Sequence, residues 1–505
     1  MDFRQRYVIF PLSAFILLCL LTLIISPLNF WVDETFHVFA AQGILTTGLP
    51  TLPSGLLYDR SLITTLLVVG SFQVFGISEF AARLPFIFIG AGVIFASYFL
   101  AKEIFDRRVA LVTALLLAIA PWQVYWSTTA RMYILLQLVY VIFLYVVCRA
   151  WSEWRGDGNR VRLCLLAGAS LVMTGLAFLV DRFGILFATV GVAFFASLFW
   201  ERIVENRPFF KGVNPVILFI VFVTGVAILA YLINPFGIFT AKFIPIGMRL
   251  GEWFYLLFFG RYFPIFGLFA VVGLLPMLWR RSERESILLL GFFIPFLLLS
   301  LFLDQKNSRY IFFTFPLLVM IASRGICIAW DWYRENIASL WSRTVPACIG
   351  LLLLLTGIGL IGAVTDPYQP LPYEDPHPHW KDAAAYVQAH LRDGDVILST
   401  MPICTLHYLG TTDYWMRQNE YYAYTDAQGV LRDRYTGAVI LKDYETVVAE
   451  LKGKEGWLIA DRKLDSYFTD SDVLAYVKEH MVLQPDGSDH TIRVYRFEKG
   501  FYGDF

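Results

Sequence analysis

The sequence is poor in cysteine and lacks several motifs that would assign it to common classes of protein. Six cysteines are spread over 505 residues, and only Cys404 follows residue 365. The C-terminal region therefore cannot contain an internal disulfide, and no CxxC pair or His/Cys spacing indicates a zinc site. The sequence also shows no Gly-rich phosphate-binding fingerprint, no polybasic patch for nucleic acid and no internal repeat.

Charged residues are scarce, and hydrophobic residues are abundant. Hydrophobic residues make up 57% of the chain and charged residues 16%, which predicts a polytopic membrane protein in contact with membrane lipids. The net charge of +0 is the sum of a basic and an acidic part. Residues 1–365 carry 27 Lys and Arg against 18 Asp and Glu, and residues 366–505 carry 14 Lys and Arg against 23 Asp and Glu. Basic loops beside apolar segments are typical of cytoplasmic connections, so this division indicates membrane topology and no nucleic-acid partner.

The apolar segments predict a multi-pass α-helical protein of the cell membrane, with about 11–13 spans. Arg4 and Arg6 precede a first segment that we interpret as a retained anchor. With the loop 29–60 outside, two crossings between residues 60 and 105 would place Arg107 and Arg108 outside as well, against the positive-inside rule. We therefore expect one re-entrant or broken segment within 62–105 and an N-terminus inside the cell. Twelve segments are apolar: 7–28, 62–77, 85–105, 109–128, 132–148, 163–180, 183–200, 213–233, 253–276, 286–303, 310–328 and 344–364.

The chain divides into a membrane domain, 1–365, a Pro-rich linker, 366–378, and a soluble C-terminal domain, 379–505. Alternating patterns in the last region predict a small α/β domain. An odd number of crossings places this domain outside the cytoplasm, where we expect it to cover or select a substrate. The predicted helices are 379–391, 444–452 and 471–480, and the predicted strands are 395–400, 438–442, 457–461 and 491–497.

The first outer loop, 29–60, contains two adjacent carboxylates, Asp33 and Glu34, at the boundary between membrane and water. Glu34 and His37 share one face of a predicted short helix, because residues three apart are neighbours on a helix. Asp33 has two interpretations. It is either the N-cap of that helix or a carboxylate that serves as a general base.

Other ionisable side chains lie in or beside apolar segments on the same predicted outer side. A charge at bilayer depth costs about 2.5–3.5 kcal/mol, so such residues usually face a cavity or one another. Arginine and lysine at this depth suit a lipid-linked phosphate; alternatively, each arginine extends its head group to the membrane surface. Asp33, Glu34 and Asp181 could also hold Mg²⁺ or Mn²⁺. The further candidates are Tyr58, Asp59, Arg60, Arg131, Asp181, Arg182, Arg249, Glu252, Arg261, Asp304, Lys306 and Arg309.

Four motifs in order resemble those of the polyprenyl-phosphate-sugar-dependent GT-C glycosyltransferases, which include protein O-mannosyltransferases and the aminoarabinose transferases of lipid A. The resemblance covers residues 1–365, and the start of the C-terminal domain at His379 is also similar to bacterial and archaeal members. The motifs are Trp31-x-Asp33-Glu34, Glu79-Phe-Ala-Ala-Arg83-Leu-Pro85, Ala130-Arg131-Met-Tyr133 and Ser308-Arg309-Tyr310 followed by Pro316.

The resemblance implies roles for individual residues. Asp33 matches the catalytic carboxylate and Glu34 its supporting neighbour, and Arg83 matches an arginine with a structural role. Arg131, Arg309 and Tyr310 match positions near the donor phosphate. The further residues expected to bind substrate, from their place beside the apolar segments or within these motifs, are His37, Tyr58, Asp59, Arg60, Tyr133, Asp181, Arg182 and Lys306.

Two departures from the family's pattern affect these assignments. Leu56 to Ser61 stands where many members carry His-Pro-Pro or Lys-Pro, so we expect Arg60 in place of the family's lysine ligand of the phosphate. Asp181-Arg182 stands where a His-Tyr pair is common, which indicates a different arrangement of acceptor or metal.

The expected reaction is inverting transfer of a monosaccharide from a polyprenyl phosphate to a hydroxyl of a protein, a lipid or a cell-envelope glycan. A membrane transporter with a charged path is the alternative from another class, although the lack of repeats and the large outer domain argue against it. An oligosaccharyltransferase-like enzyme would be expected to carry a Trp-Trp-Asp motif in its C-terminal domain, and this sequence has none.

Overall fold

A computed structural model describes most of the chain. The described residues are 11–17, 19, 29–155, 160–205, 220, 251–278, 282–303, 305–336, 371, 374 and 376–499. Most or all of the predicted spans 7–28, 213–233 and 344–364 lie outside these residues, as do much of the linker 366–378, Arg249 and Asp304. The side chain of Glu252 is not described either.

The chain forms two compact units, and each is described by itself. One unit, the helical unit, takes the described residues of Met1–Thr22, Phe86–Thr128 and Met132–Gly362. The other, the loop-and-tail unit, takes those of Leu23–Pro85, Thr129–Arg131 and Ala363–Phe505. The first outer loop therefore belongs to the same unit as the C-terminal domain.

Helices account for nearly all the described structure before residue 337. In chain order they are α1 Val32–Thr47, α2 Leu62–Phe75, α3 Glu79–Ile104, α4 Arg107–Ile119, α5 Pro121–Ser127, α6 Met132–Arg155, α7 Arg160–Val180, α8 Ile185–Glu205, α9 Phe254–Tyr262, α10 Pro264–Leu274, α11 Glu283–Phe302 and α12 Phe315–Asn336. Short 3₁₀ turns at Arg182–Gly184, Gly251–Trp253, Leu275–Leu278, Ser308–Tyr310 and Phe312–Thr314 connect or extend them.

Five of these helices, namely α3, α6, α7, α11 and α12, are long and apolar enough to cross a membrane. Within the described ranges the number rises to seven if α4 with α5, bent by 64°, and α9 with α10, bent by 106°, each form one broken span. The protein is therefore a multi-pass membrane protein, as predicted.

The helix breaks do not lie within 62–105, where the sequence predicts a re-entrant or broken segment because its glycines and Pro85 permit one. Helix α3 continues through Pro85, Gly90 and Gly92, whereas the sharp bends lie at Pro121 and Pro264. Each of these two prolines occupies the first turn of a new helix, where its missing N–H costs nothing and its ring disfavours helical geometry in the residue before it. The exception within 62–105 is instead α2, a continuous helix whose 14 residues rise only about 21 Å, less than the roughly 30 Å of a hydrocarbon core.

In the helical unit, α10 and α12 approach closely because each presents a glycine to the other. A Cβ atom at Gly273 would lie 2.1 Å from the carbonyl oxygen of Ile321, and one at Gly325 would lie 1.9 Å from that of Phe269. Small residues at a helix crossing allow such backbone contact within a membrane.

The C-terminal domain is an eight-stranded sheet in the order β3-β4-β5-β2-β1-β6-β8-β7. Strands β5, β2, β1 and β6 are parallel, and the flanking strands pair antiparallel. The elements are α13 Trp380–His390, β1 Val396–Ser399, α14 Pro402–Leu409, β2 Tyr414–Met416, β3 Ala423–Thr425, β4 Leu431–Asp433, β5 Val439–Leu441, α15 Tyr444–Leu451, β6 Gly456–Ala460, α16 Ser471–His480, β7 Val482–Leu483 and β8 Arg493–Phe497, with 3₁₀ turns at Arg462–Asp465 and Pro485–Gly487.

Helices cover both faces of this sheet, since alternate residues of its central strands point in opposite directions. Leu398 and Leu458 pack with α15 and α16, whereas Ile397 and Ile459 pack with α13 and α14. The seven helices and strands predicted for this domain are all present, with ends shifted by two residues at most. Helix α14 and strands β2, β3, β4 and β7 were not predicted.

Helix α1 of the outer loop joins the α13–α14 side of this core. Val32, Phe36 and Phe39 pack against the cluster that contains Trp380 and Cys404. A Cβ atom at Gly43 would lie 2.2 Å from the carbonyl oxygen of Thr51, so the loop after α1 folds back onto the helix itself. The apolar face of α1 thus fixes the direction in which its first turn points.

Candidate functional site

The first turn of α1 carries both predicted catalytic carboxylates. The helix begins at Val32 with Trp31 in extended geometry as its N-cap residue. The N-cap interpretation of Asp33 is therefore wrong, because Asp33 is the second residue inside the helix. Glu34 accepts a hydrogen bond from the Trp31 N–H at 3.0 Å, the arrangement that a capping carboxylate at the third position makes.

Glu34 is completely buried and both its oxygens are engaged. Oε1 accepts from Arg83 Nε at 2.9 Å and from the Ala130 N–H at 2.8 Å, and Oε2 accepts from Arg83 Nη2 at 2.8 Å and from Trp31. Burial raises the pKa of Glu34, but Arg83 and the other donors outweigh it, and the net pKa is lowered. This geometry suits a residue that organises the turn, as the resemblance implies for Glu34 and Arg83.

Asp33 is the more accessible carboxylate, with 21% of its side chain exposed. Arg131 Nη2 lies 3.3 Å from Asp33 Oδ2, and Nη1 donates to the main-chain carbonyl of Asp33 at 2.9 Å. The same Nη1 donates to the Tyr58 hydroxyl at 3.5 Å. Arg131 is itself 2% exposed and lies over the Trp31 ring at 5.9 Å. A buried arginine thus orients a carboxylate that remains open to solvent.

His37 lies one turn further along α1 and is buried. Its Nδ1 is 2.9 Å from the Thr65 hydroxyl, and its ring meets the Tyr58 ring edge-on at 5.1 Å. Burial lowers the pKa of His37 well below its usual value, and the positive charges of Arg131 and Arg60 lower it further. The imidazole is therefore neutral at physiological pH. It supports Tyr58 and carries no charge of its own.

Asp59 and Arg60 lie on the surface beside this group. Asp59 is 3.8 Å from Arg434, in an exposed pair. The Arg60 guanidinium makes no hydrogen bond or ion pair within the described part of the chain. The next residue, Ser61, has φ +47°, and among the described residues it is the one non-glycine with positive φ. Such backbone strain is common at functional sites.

Tyr133, Arg309 and Tyr310 form a separate group in the helical unit. Arg309 lies over the rings of Tyr133 at 6.0 Å and Tyr310 at 5.7 Å, distances at which a guanidinium is attracted to an aromatic face. Asn307 caps the 3₁₀ turn and accepts from the Arg309 N–H at 3.2 Å. The Tyr310 ring packs on Phe183 at 4.9 Å.

Asp181, Arg182 and Lys306 belong to the same unit as this second group. Asp181 caps the turn Arg182–Gly184 by accepting from the Phe183 N–H at 2.9 Å, and Arg182 lies over the Phe183 ring at 5.7 Å. Lys306 donates to the main-chain carbonyl of Leu303 at 2.7 Å. The predicted site residues therefore fall into two groups, one in each unit.

The described residues contain no group of three or more His, Cys, Asp and Glu side chains placed to hold a metal ion. Glu34 directs its oxygens at Arg83 and at two main-chain amides, and Asp33 pairs with Arg131. Asp181, the third ligand suggested for Mg²⁺ or Mn²⁺, caps its own turn.

Sequence reasoning missed the contribution of the C-terminal domain to the surroundings of Asp33. Tyr435 stacks on Phe36 at 4.2 Å, and Tyr422 lies 5.4 Å from Tyr435. The Ser54 hydroxyl donates to the Arg434 carbonyl at 2.6 Å. The available signal was the density of tyrosine in this domain, at Tyr414, Tyr421, Tyr422, Tyr424 and Tyr435.

Comparisons with known proteins bear on both fold and family. Residues 59–232 match the family of dolichyl-phosphate-mannose-protein mannosyltransferases. No curated protein sequence matches the chain.

Solved structures resemble the chain over nearly its whole length. ArnT from Cupriavidus metallidurans bound to undecaprenyl phosphate has a TM-score of 0.60 at 14% identity, with 99% of each chain covered. The archaeal oligosaccharyltransferase AglB from Archaeoglobus fulgidus, in complex with an inhibitory peptide and a dolichol-phosphate, has a TM-score of 0.56 at 14% identity, covering 98% of this chain and 74% of the other. The predicted GT-C fold with a C-terminal α/β domain is confirmed.

Proposed function

We propose that the chain is a GT-C glycosyltransferase that uses a polyprenyl-phosphate-linked sugar, and that it transfers one monosaccharide from the polyprenyl phosphate to a hydroxyl group with inversion at C1. The family match over residues 59–232 and the likeness to ArnT support this proposal. The observation that carries this proposal is the first turn of α1. There a partly exposed Asp33 is held by the buried Arg131, while its neighbour Glu34 is fully occupied.

In the proposed reaction Asp33 is the general base. Its carboxylate takes the proton of the acceptor hydroxyl while the hydroxyl oxygen attacks C1 of the donor sugar. The new bond joins that oxygen to C1, and the bond between C1 and the phosphate oxygen breaks. The electron pair leaves with the polyprenyl phosphate, and attack from the opposite face inverts C1. Proton transfer to a positioned side chain contributes about 10²–10⁴-fold to rate.

Arg131 is proposed as the residue that positions Asp33. Its Nη1 and Nη2 reach the main-chain carbonyl and the carboxylate of the same aspartate, which fixes the carboxylate relative to the helix. Since Arg131 is buried, this orientation is kept without competition from water. Tyr58 and the neutral His37 complete its support, and Arg60 offers an exposed positive charge to the donor phosphate.

In the helical unit, Arg309 is proposed as a ligand of a lipid phosphate, with Lys306 and Arg182 adding positive charge. Its guanidinium lies over two aromatic rings and is aligned by the turn that Asn307 caps. An arginine held in this way can contact a phosphate through two parallel N–H groups. Preorganised charge of this kind often supplies the largest share of transition-state stabilisation.

We further propose that the transfer occurs on the outer face of the membrane. The basic residues 102–108, 149–162 and 280–284 support a cytoplasmic side opposite the loop 29–60. The acceptor hydroxyl, whether on a protein, a lipid or a cell-envelope glycan outside the cell, would then reach Asp33 without crossing the bilayer.

The test is a reconstituted transfer assay with the purified full-length protein and radiolabelled polyprenyl-phosphate hexoses and pentoses. Appearance of a glycosylated acceptor, with loss of label from the lipid and an inverted anomeric configuration, is the expected result. Release of free sugar only, or transport of the lipid-linked sugar across the bilayer without transfer, would contradict the proposal.

A further inference from the structure

Two tyrosines of the C-terminal domain stand beside the loop that carries Asp33, and the reaction described above does not use them. Tyr435 stacks on Phe36 of α1 at 4.2 Å with an interplanar angle of 29°, and the Tyr422 ring lies 5.4 Å from Tyr435. The Ser54 N–H donates to the Tyr435 carbonyl at 3.2 Å. The segment between β4 and β5 is therefore fixed to the first outer loop.

A chain of side-chain contacts connects these two tyrosines to the carboxylate of Asp33. Phe36 lies 6.0 Å from Tyr58 as well as against Tyr435. The Tyr58 hydroxyl is 3.5 Å from Arg131, which in turn is 3.3 Å from Asp33. Tyr435 and Asp33 thus belong to one continuous group of packed side chains.

Electrostatic effects agree with this arrangement. Burial raises the pKa of Tyr58, Tyr422 and Tyr435. The guanidinium of Arg60 opposes that rise at each phenol, and the carboxylate of Asp33 adds to it. Arg60 and Asp33 are therefore both within electrostatic reach of all three rings.

This group has hydrogen-bonding capacity that the protein itself does not use. Within the described ranges the hydroxyls of Tyr422 and Tyr435 make no hydrogen bond, although both rings are half-buried, and Arg60 is exposed without an ion-pair partner. An apolar ligand would leave the phenol hydroxyls without hydrogen-bond partners, which disfavours its binding. A ligand that packs on these two rings should therefore combine an apolar face with hydrogen-bonding groups at its edge.

A sugar ring has this combination. The axial C–H groups of a pyranose form an apolar face that packs on an aromatic ring, and its equatorial hydroxyls donate to and accept from phenol oxygens. Tyrosine suits such a surface because it adds an amphipathic ring with little loss of conformational entropy. Resting on the proposed glycosyl transfer, we infer that Tyr422 and Tyr435 form the acceptor subsite, beside the Arg60 that faces the donor phosphate, and that the acceptor hydroxyl belongs to a carbohydrate rather than to serine or threonine of a protein.

The subsite would work by orientation. A ring held against Tyr422 and Tyr435 presents one hydroxyl toward Asp33, and the C-terminal domain thereby selects which hydroxyl reacts. Tyr422 and Tyr435 are specificity-determining residues in this scheme, and they take no part in proton transfer.

The experiment uses the full-length protein in lipid nanodiscs and the double variant Tyr422→Phe/Tyr435→Phe, which keeps both rings and the stack on Phe36. The matched control is Tyr444→Phe, which removes a hydroxyl from an exposed tyrosine of α15. Saturation-transfer NMR without donor compares a panel of methyl hexopyranosides and methyl pentopyranosides with a threonine-containing peptide. At least one glycoside should bind to the wild type and to Tyr444→Phe, and about tenfold more weakly to the double variant, because two hydrogen bonds are lost.

The transfer assay adds a second readout. The double variant should raise the KM for the glycoside acceptor about tenfold while the KM for the donor stays unchanged. Binding of the peptide but of no glycoside, binding of neither, or equal glycoside binding by wild type and double variant would overturn the inference. Because binding needs no chemistry, an active Asp33→Asn protein would contradict the proposed base and leave the sugar subsite standing.

Discussion

Arg83 donates two hydrogen bonds to Glu34, from Nε at 2.9 Å and from Nη2 at 2.8 Å, and the two side chains are 2% and 0% exposed. The residues are 49 positions apart, and the pair ties the start of α3 to the first turn of α1. Breaking a buried pair by removing one charge is strongly destabilising, because the other charge stays buried without compensation.

Glu34→Gln should therefore lower the free energy of unfolding by about 3–5 kcal/mol. It should reduce the rate of transfer less than Asp33→Asn does. Thermal unfolding in nanodiscs and the transfer assay on the surviving folded fraction measure the two effects. Asp59→Asn is the control, since it breaks an exposed pair with Arg434 and should cost less than about 1 kcal/mol. Equal stability of Glu34→Gln and wild type would show that the pair is not structural.

Protonation of His37 should make the free energy of unfolding depend on pH. Its folded-state pKa lies well below 6.5 because the ring is buried, so below about pH 6.5 the unfolded chain binds a proton that the folded chain does not. The free energy of unfolding should fall as the pH is lowered through this range, by up to about 1.4 kcal/mol per pH unit for this one group. Glu34, whose pKa is lowered, contributes a loss only at more acidic pH, below its unfolded-state value.

Unfolding midpoints measured from pH 7.5 to pH 5 for wild type and His37→Gln test this prediction. The variant should show a shallower decline, with the remainder due to His407, whose pKa is also lowered by burial. The exposed His390 provides the control, and His390→Gln should decline as the wild type does. Parallel curves for wild type and His37→Gln would contradict a neutral, buried His37.

The spacing of apolar residues in the sequence predicts many of the helices and strands. It does not predict the features that depend on very short strands or on contacts between distant residues. The core strand Val396–Ser399 and helix Ser471–His480 follow from periodicity, whereas β2 and the β3–β4 hairpin have only three residues per strand, too few for a pattern. Asp33 and Glu34 look alike in the sequence. Their difference arises from Arg83, Ala130 and Arg131, which reach them only in the folded chain.

Arg309→Ala should raise the KM for the lipid-linked donor with little effect on folding. Loss of a hydrogen bond to a charged group costs about 1.5–3 kcal/mol, which corresponds to a change of roughly 10–150-fold. Arg334→Ala, which removes an exposed arginine near the end of α12, is the matched control. An unchanged donor KM in Arg309→Ala at normal expression would remove this residue from the donor site.

The C-terminal domain should lie outside the cytoplasm. A reporter that is active only in the cytoplasm, fused after Phe505, should stay silent, and the same reporter inserted at 156–159, between the basic residues Arg155 and Arg160, should be active. This pair of fusions controls for expression. Strong activity of the C-terminal fusion would reverse the proposed orientation and remove the outer leaflet as the place of transfer.

Transfer by purified Asp33→Asn tests the assignment of the general base most directly. The amide has nearly the same size as the carboxylate, so insertion, folding and binding of the polyprenyl phosphate should persist while proton acceptance is lost. We expect the rate of sugar transfer to fall about 10²–10⁴-fold, with donor binding within about twofold of wild type. Near-normal transfer by Asp33→Asn, in protein that binds the donor normally, would contradict the role of Asp33 as the base.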